Sequence, residues 1–185
     1  MKKAHALAGL VFSTALLGAG ISNAFAADET LRSLADKNNI YIGAILNSQW
    51  FSGGLPGNYE QIHKQQFNIV VAENEMKFDA TEPQENRFNY NNGDKMLKYA
   101  KANGMRVRGH ALAWHSQVPN WVNNYKGNKQ KLLSVLKNHI KNVVSHWKGQ
   151  IDEWDVVNEA ISNNEPQWRT QSVWYQGIGP EFIDS

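Results

Sequence analysis

Val70-Val71-Ala72-Glu73-Asn74-Glu75-Met76-Lys77 and Trp154-Asp155-Val156-Val157-Asn158-Glu159 are built alike: an apolar run stops abruptly at carboxylates and amides. Val107-Arg108-Gly109-His110 repeats the pattern, with Trp114, His115 and Gln117 close behind. Short apolar runs bounded this way read as buried strands. Three successive strands that end in carboxylates, amides, imidazoles and indoles point to one face where strand ends converge. In parallel barrels that face is the carboxyl end of the sheet, where a side chain is held on rigid structure and still meets a ligand.

Working outward, residues 41–46, 68–72, 105–113 and 151–157 read as four strands. Helical patterns lie between them over 58–66, 95–102 and 129–147. Asn103-Gly104 is a stop signal for the second of these. In the third, Leu132, Leu136, Ile140, Val143 and Trp147 step along one helical face. Lys131, Lys137 and Lys141 are expected on its solvated side. Helices between strands imply βα units around a parallel sheet. Four units make half of a (β/α)8 TIM barrel, which usually takes about 250 residues. Residues 180–185, with Pro180 in a first turn, read as the opening of another helix. The expectation is therefore an α/β chain truncated to about the first four βα units, with 27–185 the N-terminal part of a catalytic barrel.

Residues 1–26 read as a secretory signal peptide. Lys2 and Lys3 are followed by an uncharged apolar stretch and the small-x-small end Ala24-Phe25-Ala26. The apolar part is shorter than the roughly 20 residues that span a bilayer. Removal of 26 residues from 185 leaves 159, secreted to the periplasm or the medium and free of the membrane. It also takes two lysines from the 19 Lys+Arg, leaving 17 against 17 Asp+Glu. A neutral chain has no broad basic surface for phosphates, which argues against nucleic acid. Zero cysteine excludes disulfides, thiolate metal sites and a cysteine nucleophile. Seven Trp and six Tyr supply flat apolar surfaces on which sugar rings pack.

Glu159 lies between Val157-Asn158 and Ala160-Ile161. A carboxyl among apolar neighbours is expected to lose solvation and keep its proton available near neutrality. Asn158 beside it offers uncharged hydrogen bonds. The plain alternative is an Asn-Glu helix cap. His110 and His115 are five apart, on opposite faces of a strand, and no His-Glu-x-x-His is present, so no metal is expected. Ser116 lacks a Gly-x-Ser-x-Gly elbow. Gly53-Gly54 with Pro56-Gly57 lacks the Gly-Lys-Ser/Thr ending of a phosphate loop. His63, His139 and His146 read as surface or packing residues.

Glu73-Asn74-Glu75-Met76-Lys77, Arg108-Gly109-His110-Ala111-Leu112-Ala113-Trp114-His115-Ser116-Gln117 and Trp154-Asp155-Val156-Val157-Asn158-Glu159-Ala160 resemble glycoside hydrolase family 10. Its members are mostly endo-1,4-β-xylanases. The resemblance runs from about Leu31 to the end, and Phe78 stands where the family often has Trp. It implies a (β/α)8 barrel, a retaining mechanism on xylan or xylo-oligosaccharides, no cofactor, and a monomeric full-length form. By motif position it implies that Glu159 is the general acid/base and that Asn158 meets a hydroxyl of the sugar being cleaved. It implies that Glu73, Asn74 and Lys77 contact sugars on the non-reducing side, and that His110, Trp114 and Gln117 wall the reacting ring, with His115 in support. Retaining chemistry needs a second carboxylate roughly 5–5.5 Å from the first. The family places that nucleophile on a late strand, which is not in this sequence. The alternative to a hydrolase is a non-catalytic glycan-binding fragment that keeps half of the sugar cleft.

Overall fold

The computed structural model describes residues 29–52, 57–151, 153–164 and 166–184. The expected leader and the turn residues Gly53, Gly54 and Pro56 lie outside them. Four strands, β1 (Gly43–Leu46), β2 (Ile69–Ala72), β3 (Arg106–Ala113) and β4 (Glu153–Val157), form one parallel sheet in the order β1-β2-β3-β4. The helices are α1 (Leu31–Lys37), α2 (Tyr59–Gln66), α3 (Phe78–Thr81), α4 (Asn91–Ala102), α5 (Asn120–Asn123), α6 (Lys129–His146) and α7 (Val173–Ile178). Sequence order equals spatial order, as the four βα units expected from the sequence require. The sheet is half of a (β/α)8 barrel, open at β1 and β4.

Register follows from side-chain alternation. Leu46, Val70, Ala72 and Val107 point to the helices and are buried with Met96, Ala100, Val143 and Trp147 in one apolar cluster. Phe78, Val122, Leu132, Leu136, Val173 and Trp174 form a second cluster toward the carboxyl end of the sheet. Ile140 packs against both. The stripe on α6 is wider than the five residues expected, because Val135 and His139 are buried with it. Of the lysines expected on its solvated side, Lys131 is held instead: its ammonium donates to Glu85 at 2.8 Å and stands 4.9 Å from the Tyr125 ring.

The other face of the sheet is open. Tyr41, Ile45, Ile69, Val71, Arg108 and Glu153 surround a hollow of about 380 Å³. Ile45 is 48% exposed there, although a closed barrel fills its interior with such side chains. Strand β1 starts two residues later than expected. The entry is fixed by Asn68, which accepts the Ile42 amide at 2.8 Å and donates to Asp36 at 2.7 Å. Pro180 stands in the first turn of a short helix, Pro180–Ile183, as expected, but the turn is of 3-10 rather than α type. Among the described residues, no helix is long and apolar enough to cross a membrane.

Candidate active site

The polar ends of β2, β3 and β4 meet at the carboxyl edge of the sheet. After β2, Lys77 turns its ammonium to Asn74 Oδ1 at 2.9 Å and Gln117 Oε1 at 2.6 Å. Gln117 Nε2 returns a bond to Asn74 Oδ1 at 3.3 Å. The same ammonium lies 4.8 Å from the centre of the Trp114 ring, close enough for a cation–π attraction. Trp114 Nε1 donates to Glu159 Oε2 at 2.9 Å. Its backbone carbonyl accepts the indole N–H of Trp174 at 2.9 Å. One tryptophan thus joins the amide-and-ammonium cluster of β2 and β3 to the carboxylate that follows β4.

Asn158 and Glu159 are delivered by β4. The Asn158 amide continues the ladder to the Ala113 carbonyl at 2.8 Å, and Glu159 then takes the left-handed conformation at φ 50. Few non-glycine residues adopt it, and those that do cluster at functional sites. No helix begins here, so the capping alternative fails. The Glu159 side chain is 44% exposed; the burial that its apolar sequence neighbours suggested is not observed, because the loop lifts it out to the rim. His115 Nδ1 stands 3.5 Å from Glu159 Oε2, and Arg169 stands 4.0 Å from it. Burial and the Arg169 charge hold the His115 pKa below its ordinary value, against the pull of Glu159.

His110 faces Asp155 rather than open solvent: Nδ1 lies 2.8 Å from Oδ2. Arg108 grips the other oxygen, with Nε at 3.0 Å. Burial raises the Asp155 pKa, but bonds to Arg108 and His110 outweigh it and leave the carboxyl below its usual range. The His110 ring stays 6.4 Å from Trp114, centre to centre, so it borders the cleft. Glu73 is engaged by Asn47 Nδ2 at 2.5 Å, at the end of β1. Glu75 is buried and accepts the amides of Ser48 at 2.6 Å and Asn74 at 3.0 Å. It ties β1 to β2 and frames the site.

All eight residues expected from the sequence stand along this rim. Asn74, Lys77, Gln117, Trp114 and Glu159 form one connected chain of contacts, while His110 and Glu73 border it through their own partners. The sequence reading missed Asp155, Arg169, Asn47 and Trp174. Asp155 had a readable signal, since it interrupts the apolar run of β4, and it lies opposite His110 in register. Arg169 had none. It reaches back from an irregular loop, donating from Nε to the Glu159 carbonyl at 2.9 Å and from its terminal nitrogen to Ile161 O at 3.3 Å and Asn163 Oδ1 at 3.1 Å. Among the described residues, no group of three His, Cys, Asp or Glu could hold a metal ion.

Four parallel βα units with their polar rim at the carboxyl ends of the strands define a protein of the (β/α)8-barrel class. Within that class the chain belongs to glycosyl hydrolase family 10, whose profile matches residues 30–185. It is 39% identical over 176 residues to endo-1,4-beta-xylanase B of Thermotoga neapolitana, covering 95% of this chain and 50% of that protein. Among solved structures, native xylanase 10B from Thermotoga maritima superposes with a TM-score of 0.78 at 43% identity, covering 84% of this chain and 48% of that one. Xylanase 10B from Thermotoga petrophila in complex with xylobiose gives 0.79 at 42% identity, covering 85% and 48%. The chain therefore spans about half the length of these relatives.

Proposed function

We propose that this chain is the acid/base half of a secreted retaining endo-1,4-β-xylanase, with Glu159 as proton donor. The observation that carries the reading is the 2.9 Å bond from Trp114 to Glu159, which plants a carboxylate beside the polar cluster of Asn74, Lys77 and Gln117. Glu159 protonates the glycosidic oxygen as the bond to the anomeric carbon breaks. A second carboxylate, roughly 5–5.5 Å away, attacks that carbon and forms a glycosyl-enzyme. Glu159, now ionised, takes a proton from the water that releases the sugar. Asn158 holds a hydroxyl beside the cleaved bond. Glu73, Asn74 and Lys77 bind sugars on the non-reducing side, and His110, Trp114 and Gln117 wall the reacting ring.

The nucleophile is assigned to chain outside the four strands. Glu73, Glu75 and Asp155 are each committed elsewhere, to Asn47, to the Ser48 and Asn74 amides, and to Arg108 with His110. Xylan as substrate is supported by the relatives named xylanase and by the xylobiose complex of the Thermotoga petrophila protein. Export is supported by the lysine, apolar and small-residue pattern of residues 1–26. The working form is proposed to be a monomer without cofactor.

Glu159→Gln in the full-length gene product tests the reading. Turnover of xylan is expected to fall about 10²–10⁴-fold. A xyloside with an acidic phenol as leaving group is expected to keep its first step, and added azide to restore turnover. An unchanged rate on xylan defeats the proposal. A second reading, a glycan-binding fragment, rests on the same polar cluster of Asn74, Lys77 and Gln117 under Trp114; binding of xylo-oligosaccharides without release of reducing ends identifies it.

A further inference from the structure

Behind the sugar-facing rim lies a buried acid–base pair that the hydrolytic scheme does not use. Glu82 and His139 are 1% and 0% exposed, and His139 Nδ1 lies 2.9 Å from Glu82 Oε2. Two groups able to carry charge are seldom buried together without a reason, since desolvation opposes the charged form of each. The imidazole also stacks on Phe78, with centres 3.5 Å apart and planes 7° from parallel.

Their place in the chain supplies the reason. Phe78 is the first residue of α3 and Glu82 is its C-cap. One imidazole on α6 therefore holds both ends of a four-residue helix. A helix of one turn has no stability of its own and takes its position from what it is packed against. Helix α6 is 18 residues long and gives the imidazole a rigid base. The residue that caps the start of α3 is Lys77, whose carbonyl accepts Thr81 N at 3.0 Å and Thr81 Oγ1 at 2.9 Å. The next amide in the turn, Asp79 N, donates to the Gln117 carbonyl at 3.1 Å. Wherever α3 sits, the backbones of Lys77 and Gln117 follow.

Other contacts lock Glu82 in the same place. Its Oε1 accepts the Asn86 amide at 2.9 Å and its carbonyl accepts the Trp121 indole at 3.2 Å. We propose that the buried Glu82–His139 pair is the positioning element for Lys77 and Gln117, acting through the single turn of α3. This rests on the reading of Lys77 and Gln117 as sugar contacts. The two residues touch no substrate; they set where the ammonium and the amide stand.

A double-mutant cycle in the full-length gene product tests this, read as kcat/KM on soluble xylan. His139→Asn keeps a side-chain N–H and removes the ring under Phe78; Glu82→Gln keeps the shape and removes the charge. Each is expected to lower kcat/KM about fivefold with Lys77 present, and by less than about twofold in a Lys77→Ala background. Equal losses in both backgrounds overturn the proposal, because the pair then only supports the fold. The side-chain carbon and proton shifts of Lys77 separate this from failure of the site reading. They are expected to move in Glu82→Gln even if Lys77→Ala proves neutral on xylan; shifts that stay at wild-type values overturn the positioning role.

Discussion

The indole N–H of Trp114 and Oε2 of Glu159 are 2.9 Å apart, so the side chain proposed to wall the cleft also orients the carboxyl proposed as the acid. Trp174 fixes the Trp114 carbonyl from behind, and the Lys77 ammonium rests over its ring. Trp114→Phe separates the two duties, keeping a flat ring and removing the donor. Hydrogen bonds to charged groups contribute about 1.5–3 kcal/mol. The expected result is a fall in kcat/KM on xylan of about tenfold or more, measured on the full-length gene product. A variant at wild-type rate shows that the Glu159 carboxyl is oriented by something other than Trp114.

Arg169 holds the backbone of Glu159, the residue proposed as the acid. Its guanidinium spans the Glu159 carbonyl, the Ile161 carbonyl and Asn163 Oδ1, across a turn in which Glu159 is left-handed. A lysine has one nitrogen on a flexible stem and cannot reproduce that fork. Arg169→Lys is expected to lower activity and to make residues 159–169 more sensitive to limited proteolysis. Wild-type resistance in that segment, together with wild-type activity, contradicts the clamp.

What the sequence disclosed and what it hid have separate physical causes. The strands were legible because Val70, Ala72 and Val107 bury one alternating face, and because polar residues stop each run. Helix α6 was legible from its long apolar stripe. Helices α3 and α5 were not: four residues show no period, and both are held by tertiary contacts rather than by propensity. The candidate rim was legible where its residues lie within five positions of a strand end. It was hidden where a partner crosses the fold, as with Arg169 to Glu159 or His139 to Glu82. Glu159 shows the opposite error, since apolar neighbours along the chain did not become neighbours in space.

Gly93 tests the packing beneath α4. It lies inside that helix, where replacement by alanine normally gains about 1 kcal/mol. Here an added Cβ would lie 2.4 Å from Cζ2 of Trp147. That indole cannot swing away: its N–H donates to Asp94 at 2.8 Å and its ring stacks on Trp154 at 5.9 Å between centres. Overpacking a fixed aromatic costs about 1–3 kcal/mol, so the clash outweighs the helix gain. Gly93→Ala is expected to lower the urea midpoint of the purified chain. A raised midpoint would mean that Trp147 has room the structure does not show.

The histidines give the fold a pH dependence whose sign can be worked out. Burial is the leading cause that holds the pKa of His63, His115 and His139 below the ordinary value, with Arg169 adding to it at His115. The unfolded chain takes up a proton at each as pH falls past about 6.5, whereas the native chain does so only at lower pH. Through that window the unfolded state holds more protons, so stability falls with pH. Asp155 and Glu75 add to the loss further down. Their bonds hold both pKa values below the usual range despite burial, so the stability they contribute is lost as pH falls below about 4. The urea midpoint is therefore expected to decline between about pH 7 and pH 5 and again below about pH 4. His139→Asn removes a titrating group at the most deeply buried of these positions and is expected to flatten the upper slope, whatever it does to the midpoint at neutral pH. A slope identical in the variant would show that His139 titrates alike in the folded and unfolded chains.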